Sequence, residues 1–305
     1  MLRFLARRAL LALLVTLTVL TISFALIRLS GDLALAIAGP QASEADVVII
    51  RKAYGLDRPL TIQFFDWVAS AAQGDLGKSF LYHEPVANLI KARLPITLTL
   101  GLTGLAIAIL TAIPLGILAA MREGTVSDRM IMMVAVVGQA MPSFWLGLIL
   151  IIGFGLKLQW LPISGVDTWE GYILPGVVLA FSAIPALMRL TRSGMVDALA
   201  SDYIRTARAK GLSRLAIVMK HALRNAAMPV VAIAAVQLGF MLSGSIVIET
   251  VFSLQGVGYL GWESISKNDF PVVQAVVLFL ATVYICLTLL ADLLNAVLDP
   301  RLRTQ

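Results

Sequence analysis

The sequence is poor in charged residues, cysteine and histidine. Charged residues make up 14% of its 305 positions, against about 25% in soluble domains, and the mean hydropathy is +0.89. Its one cysteine, Cys286, excludes a disulfide framework and a multi-cysteine metal site. Its two histidines, His83 and His221, lie in polar segments, which excludes histidine chemistry inside a membrane. The composition is typical of an integral membrane protein.

The sequence also lacks a nucleotide-binding or hydrolase motif. Residues 74–79 resemble the end of a phosphate-binding loop, but Ala72 stands where that loop requires glycine. The Gly-x-Ser-x-Gly motif of hydrolases is missing, and without a membrane-embedded histidine no Ser–His pair can form there. We therefore expect no catalysis and no cofactor bound by this chain, with any ATP and Mg²⁺ held by partner subunits.

Six apolar runs are long enough to cross a bilayer, for which about 20 residues suffice. They lie at residues 9–28, 96–120, 130–155, 173–191, 229–250 and 272–296. Because the number is even, both termini fall on one side. Lys and Arg are concentrated in the termini and in the connections after the second and fourth runs, which places these parts in the cytoplasm. The net charge of +6 thus reflects membrane orientation, and we expect no nucleic-acid partner.

These runs predict an all-α integral membrane protein with six transmembrane helices and both termini cytoplasmic. Proline and glycine inside the later runs favour a packed bundle with internal cavities, because neighbouring helices or water must satisfy the freed carbonyls. We divide the chain into residues 1–95, the first transmembrane helix plus an outer-side segment; residues 96–296, a core of five helices; and residues 297–305, a cytoplasmic tail. The first run exceeds the roughly 7–15 apolar residues of a signal peptide, and cleavage near residues 36–38 is the alternative.

The polar stretch of residues 202–229 interrupts the apolar second half of the chain. Residues 202–210 are predicted to form a helix, Gly211 to take a left-handed conformation after it, and Ser213 to cap a second helix. Residues at helical spacing predict the buried face of this second helix: Leu215, Val218, Met219, Ala222 and Ala226. Pro229 should then open the next run at a first-turn position. A basic pair of helices between two apolar runs is suited to contact something outside the lipid.

Residues 202–229 resemble the membrane subunit, or permease, of ABC importers of the dipeptide, oligopeptide, nickel and glutathione group (dipeptide/oligopeptide permease B-like). The pattern Asp-Tyr-x-Arg-Thr-Ala-Arg-Ala-Lys-Gly matches residues 202–211, and His-x-Leu-Arg-Asn-Ala-x-x-Pro matches residues 221–229. Other segments match in the order of the family, at residues 55–60, 74–77, 93–97, 142–147, 160–162, 249–258 and 299–301. Two places depart from the pattern: Leu33 replaces proline, and Leu254 with Gln255 replaces Trp-Pro.

The resemblance implies a type I ABC importer permease fold in the lipid bilayer of a bacterial cytoplasmic (inner) membrane. It also implies a pore shared with a second, related permease, two ABC ATPase subunits, and an outer solute-binding protein that delivers di- or oligopeptides or related small solutes. Residues 202–229 would couple transport to ATP hydrolysis, through these residues: Arg205, Ala207, Arg208, Lys210, Gly211 and Leu212. The alternative interpretation is a basic loop attracted to anionic lipid.

Few polar residues lie inside the apolar runs. Gln237 and Ser245 are eight positions apart, close to one helical face, and with Ser243 they are candidates to line the pore; hydrogen bonding between helices is the alternative. Asp292, near the cytoplasmic end of the last run, is expected to be hydrated or paired and to be the only acid inside a run. An ion-coupled secondary transporter is the alternative function. It usually needs ionisable residues nearer the midplane, so the sequence disfavours it.

Overall fold

The computed structural model describes residues 2–29, 31–39 and 41–298. Within these ranges the chain is almost entirely helical, and its one β feature is an isolated antiparallel bridge between Lys78 and Pro85. Five of the described helices are long and apolar enough to cross a membrane, or six when one sharply bent pair is taken as a single span. The predicted all-α membrane class is therefore confirmed. From residue 299 onward, the predicted tail lies outside the described residues.

The N-terminal part consists of one long helix and three short ones. In chain order they are α1 (Leu2–Leu29), α2 (Leu33–Ala38), α3 (Glu44–Ala53) and α4 (Leu60–Ala72). Among the candidate spans, α1 is the least buried. Phe24 of α1 packs against the rings of Phe64 and Trp67 of α4, so aromatic contacts hold α4 against the last turns of α1.

The bundle itself is formed by the helices that follow. They are α5 (Val86–Met121), α6 (Val126–Ala140), α7 (Ser143–Leu150), α8 (Ile173–Ala200), α9 (Asp202–Ala209), α10 (Arg214–Ala216), α11 (Leu223–Val251), α12 (Val257–Ser266) and α13 (Phe270–Leu298). The main core cluster joins α5, α8 and α11. At Gly116 of α5 a side chain would come within 2.9 Å of the Met188 carbonyl oxygen of α8, so glycine is needed for this close approach.

Prolines do not mark helix starts as the sequence predicts. α5 begins at Val86 and not near residue 96, because Pro95 and Pro114 are both accommodated inside it. Pro229 likewise lies within a helix, since α10, a π-helix (Ile217–Ala222) and α11 form one continuous span from Arg214 to Val251. The prediction that Pro229 opens a new helix is wrong. Packing within a bundle satisfies the carbonyls that proline leaves free.

The third apolar run is sharply bent. α6 and α7, with the π-helix Ile151–Lys157 that continues α7, meet at an angle of 100°. The break lies at Met141 and Pro142, where proline cannot donate to the preceding turn. Gly147 of α7 faces the side chain of Phe252, just beyond α11. The run predicted as one span therefore crosses part of the bundle and then turns towards the end of α11.

The two ends of the bundle differ in charge. We call the end formed by residues 122–125 and 201–216 the basic end, because Arg and Lys are concentrated there. The opposite end is formed by residues 74–86, 158–172 and 252–269. Arg8 of α1 pairs with Asp292 of α13 at 2.8 Å, as expected for Asp292. Since α13 runs back from the opposite end, this ion pair lies towards the basic end.

Candidate functional site

The turn between α9 and α10 has the backbone geometry that the sequence predicts. Gly211 has φ +75°, which confirms its left-handed conformation. The N–H groups of Gly211 and Leu212 donate to the carbonyl oxygens of Arg208 at 3.0 Å and Ala207 at 3.3 Å, the pattern of a glycine-terminated helix. The Ser213 hydroxyl caps α10. Two helix ends are thus satisfied within a few residues, and the turn needs no partner to hold its shape.

The surface of this turn is apolar at its centre and basic at its sides. Leu212 is 40% exposed and Leu215 is 72% exposed. No atom lies within 4 Å of the position that a side chain on Gly211 would take, and Arg205 and Lys210 are exposed. We call residues 209–215 the exposed tip. Apolar side chains left uncovered and flanked by cations are typical of a protein-binding surface.

The helix after the tip buries a different face from the one predicted. Val218, Ala222 and Ala226 are buried as expected, but Leu215 and Met219 are exposed. The π-helix explains the difference, because its wider turn rotates the preceding residues away from the face set by α11. Leu215 thereby joins the exposed tip. Sequence reasoning missed it as a binding candidate, and its helical spacing gives no signal of the π-turn.

Ala207 lies on the inner side of α9. It is 6% exposed and packs, together with Ile204, in a cluster with Met195 and Ala198 of α8. Its methyl group is therefore not available to another protein, although the resemblance places Ala207 among the coupling residues. Ala207 instead helps to seat α9 on the bundle, and Arg208 lines a cavity between this stretch and the ends of α5 and α8.

An ion pair ties α6 to α8 near the basic end. Both nitrogens of the Arg192 fork donate to the Asp128 carboxylate at 2.6 Å, and the Gly124 N–H donates to the same carboxylate at 3.0 Å. Asp128 is 4% exposed, so the carboxylate is buried, while the Arg192 side chain is half-buried. Arg192 lies on α8, which leads into α9. The ion pair therefore connects α6 to the helices that hold the exposed tip.

The three pore candidates on α11 have different environments. Gln237 and Ser243 are half-buried in this chain. Ser245 is fully buried, and its hydroxyl bonds to the Leu242 carbonyl oxygen and to a carboxylate oxygen of Glu249, each at 2.9 Å. Both partners of Ser245 lie on α11 itself, so the structure gives Ser245 neither a free surface for the pore nor a direct hydrogen bond between helices. The pore role of Gln237 and Ser243 stays a prediction.

Glu249, near the end of α11, is a buried acid that sequence reasoning did not count among the polar residues of the span. Its carboxylate accepts hydrogen bonds from the Thr97 hydroxyl of α5 at 2.8 Å and from the Tyr259 N–H of α12 at 2.7 Å. The Thr97 oxygen also accepts from the Val257 N–H at 2.8 Å. Side chains of α5 and α11 therefore cap the N-terminus of α12. The expectation that Asp292 is the only acid inside a span is corrected, since Glu249 and Asp128 also lie within spans.

A second buried carboxylate holds the loop before α5. Asp269, in the turn between α12 and α13, accepts from the Ser79 hydroxyl and from the N–H groups of Phe80 and Leu81. Nearby, the Tyr82 hydroxyl donates to Glu263. Burial raises the pKa of Tyr82, and this hydrogen bond raises it further. The opposite end is thus closed by hydrogen bonds between segments distant in sequence.

Two family models match the chain. The model described as "Binding-protein-dependent transport system inner membrane component" matches residues 112–304, and "Binding-prot-dependent transport system membrane comp, N-term" matches residues 1–101. The chain belongs to this family. It is the permease of a binding-protein-dependent ABC importer, a multi-pass inner-membrane transport subunit and not an enzyme. The predicted family and membrane location are confirmed, and an ion-coupled secondary transporter is set aside.

Relatives and solved structures agree with this assignment. The glutathione transport system permease proteins GsiC of Escherichia coli strain K12 and Salmonella typhimurium strain LT2 are each 42% identical to the chain over 275 residues, which covers 90% of both partners in each comparison. An inward-facing structure of the MetNI methionine ABC transporter matches with a TM-score of 0.56 and 17% identity, covering 69% of this chain and 96% of that one. This likeness confirms the predicted type I permease fold.

Proposed function

We propose that this permease forms one half of a transmembrane pore with a second, related permease, driven by two ABC ATPase subunits. An outer solute-binding protein delivers the solute, and ATP and Mg²⁺ bind the ATPases and not this chain. Both termini and the basic end face the cytoplasm, as the distribution of Lys and Arg favours. The family description, which names a binding-protein-dependent transport system, supports this assembly.

The exposed tip is the docking site for an ATPase subunit in this proposal. The observation that carries it is the exposure of Leu212 and Leu215 around an open Gly211, on a turn whose backbone is already satisfied. Arg205 and Lys210 flank the tip and are placed to meet acidic groups on the rim of a cleft. Ala207 acts indirectly by seating α9, and Arg208 lines the cavity behind the tip.

The solute is a short peptide or a peptide-like molecule in this proposal. Its support is the 42% identity to permeases named for glutathione transport. Gln237 and Ser243 of α11 are the residues of this chain proposed to contact the hydrated path, since both keep part of their surface free. Ser245 supports the same helix from within, through its bond to Glu249.

Substituting Gly211 with valine tests the docking site. Valine at a positive φ costs about 1–2 kcal/mol of backbone strain, and its side chain projects from the centre of the exposed tip. We expect Gly211→Val to leave the permease inserted and paired, to reduce the amount of ATPase that copurifies with it, and to abolish uptake. Uptake in cells and copurification of the ATPase are measured side by side.

Gly124 offers a matched control for this experiment. It has φ +74°, and again no atom lies within 4 Å of the place that a side chain would occupy. It lies at the same end of the bundle, outside the exposed tip. Gly124→Val should carry a similar strain and retain the ATPase. Full ATPase copurification and uptake with Gly211→Val would remove the exposed tip from the docking site.

A further inference from the structure

A cavity of about 460 Å³ lies behind the exposed tip, between it and the ends of α5 and α8. Its lining residues come from α5, α8, α9, the exposed tip and the π-helix that follows the tip: Ala120, Met121, Leu199, Arg208, Leu212, Arg214, Ile217 and Val218. Most of these residues are apolar, and the two arginines are the only charged residues among them. The cavity therefore combines an apolar wall with positive charge.

The two arginines of the cavity have no carboxylate partner among the described residues. The contrast with neighbouring arginines is direct, since Arg192 is paired with Asp128 and Arg205 with Asp202. An arginine fork that no acid of this chain occupies is available to an anion, and phosphate oxygens match its geometry. Arg208 and Arg214 come from opposite sides of the turn at Gly211, so one anion between them would bridge the two halves of the turn.

The position of the cavity along the bundle indicates the kind of anion. Met121 is the last residue of α5 and is followed by Arg122, so the apolar part of the helix ends at the cavity. Leu199 lies one residue before the end of α8. Apolar helices end at the level of the lipid headgroups, and basic pockets between spans at this level bind acidic headgroups.

We propose that this cavity binds the headgroup of an acidic phospholipid, with the lipid phosphate between Arg208 and Arg214 and the glycerol end against Met121 and Leu199. A bound lipid would link the ends of α5 and α8 to both sides of the turn and so stiffen the exposed tip. The binding itself is independent of ATPase docking, and only its effect on uptake rests on the proposed function.

The test uses the complete importer, delipidated in detergent and titrated with phosphatidylglycerol or with phosphatidylcholine while bound lipid is counted by native mass spectrometry. We expect phosphatidylglycerol to bind and phosphatidylcholine not to bind. Arg214→Gln should weaken phosphatidylglycerol binding about fivefold, the effect of one basic side chain near an acidic surface. The matched control is Lys220→Gln, an exposed cation on the same span that does not line the cavity, and it should bind as the native protein does.

Three results with the complete importer would overturn the proposal. They are unchanged phosphatidylglycerol binding with Arg214→Gln, equal binding of the two lipids, and displacement of the lipid by inorganic phosphate at a similar concentration, which would identify a free-phosphate site. Binding by the permease pair but not by the complete importer would show that the ATPase covers the cavity, and would also overturn it. Because Arg214 lies within the exposed tip, lipid binding by Arg214→Gln is also counted on the permease pair without the ATPase, where docking plays no part. Loss of lipid binding and loss of docking are therefore separate outcomes.

Discussion

Asp128 and Glu249 are both buried carboxylates on long helices of one bundle, yet their surroundings differ. Asp128, near the basic end, is paired with the guanidinium of Arg192. Glu249, near the opposite end, is held by the hydroxyl groups of Thr97 and Ser245 and by an N–H group of α12, with no cation among its described hydrogen-bond partners. A buried charge requires an opposite charge or several oriented donors. An opposite charge stabilises the carboxylate near the basic end, and oriented donors stabilise the one near the opposite end.

The two carboxylates join different numbers of helices. The pair of Asp128 and Arg192 joins α6 to α8 and leaves the nearby surface free, including the exposed tip with Leu215. The donors to Glu249 come from α5, α11 and α12, so one side chain fixes three elements together. The basic end therefore keeps a surface free for another protein, whereas the helices at the opposite end are fixed to one another.

Removing the carboxylate of Glu249 should have the largest effect. Glu249→Ala leaves the Tyr259 N–H and neighbouring hydroxyls without their acceptor in a buried site, at about 1–3 kcal/mol for each unsatisfied group. We expect a loss of about 3–5 kcal/mol in the free energy of unfolding and little recovery of the paired permease. Thermal unfolding in detergent measures the first effect, and copurification of the second permease measures the second.

Two further variants sharpen this comparison. Glu249→Gln keeps an acceptor oxygen and the side-chain size, so its loss should be nearer to about 1 kcal/mol. Glu84→Ala removes an exposed acid from the same end and should leave unfolding unchanged. If Glu249→Ala unfolds at the same temperature as the native protein, the buried junction does not hold the opposite end together.

Breaking the ion pair at the basic end should reduce the free energy of unfolding by an intermediate amount, and a second substitution should restore part of it. Arg192→Ala leaves the buried Asp128 carboxylate unpaired and should cost about 2–3 kcal/mol. In the double variant with Asp128→Ala the unpaired charge is gone, so the double variant should be more stable than Arg192→Ala alone. A double-mutant cycle of unfolding free energies measures the coupling. Purely additive effects would show that the pair does not join α6 to α8.

The polar residues along α11 should show the smallest effects on stability. Ser245→Ala removes one of several donors to Glu249 and should cost about 0.5–1.5 kcal/mol with uptake nearly unchanged. Gln237→Leu should leave unfolding unchanged but reduce uptake, since Gln237 is proposed to contact the path. Normal uptake with Gln237→Leu would assign that side chain to helix packing, and reduced uptake with Ser245→Ala would contradict the distinction drawn between these two positions.

The sequence predicted best those features that depend on a few adjacent residues. The turn at Gly211 and Ser213 was predicted because a left-handed glycine and a helix-capping hydroxyl act within their own neighbourhood. The family was likewise predicted from the pattern around these residues. The burial of Ala207 against the bundle was not predicted, because it depends on where α9 packs against α8. Its small side chain is equally compatible with the core and with a partner surface.

Features that depend on distant contacts were the ones missed. Glu249 meets Thr97 and Tyr259, and the partner on α5 is far away in the sequence, so no local pattern marks the acid as buried. The π-helix that exposes Leu215 leaves no signature in the spacing of apolar residues. Pro95 and Pro229 lie inside helices because the bundle satisfies the groups they leave free, which a single segment cannot reveal.

The capping of α12 by Glu249 also sets an order for the assembly of the chain as it is synthesised. A nascent protein folds from its N-terminus onward, and Thr97 and Glu249 are both synthesised before Val257 and Tyr259. Until then the Glu249 carboxylate has hydroxyl partners and lacks the N–H of α12. The junction of α5, α11 and α12 closes only when α12 has formed. The opposite end therefore cannot be completed until the chain has been synthesised through Tyr259, well after the residues of the exposed tip.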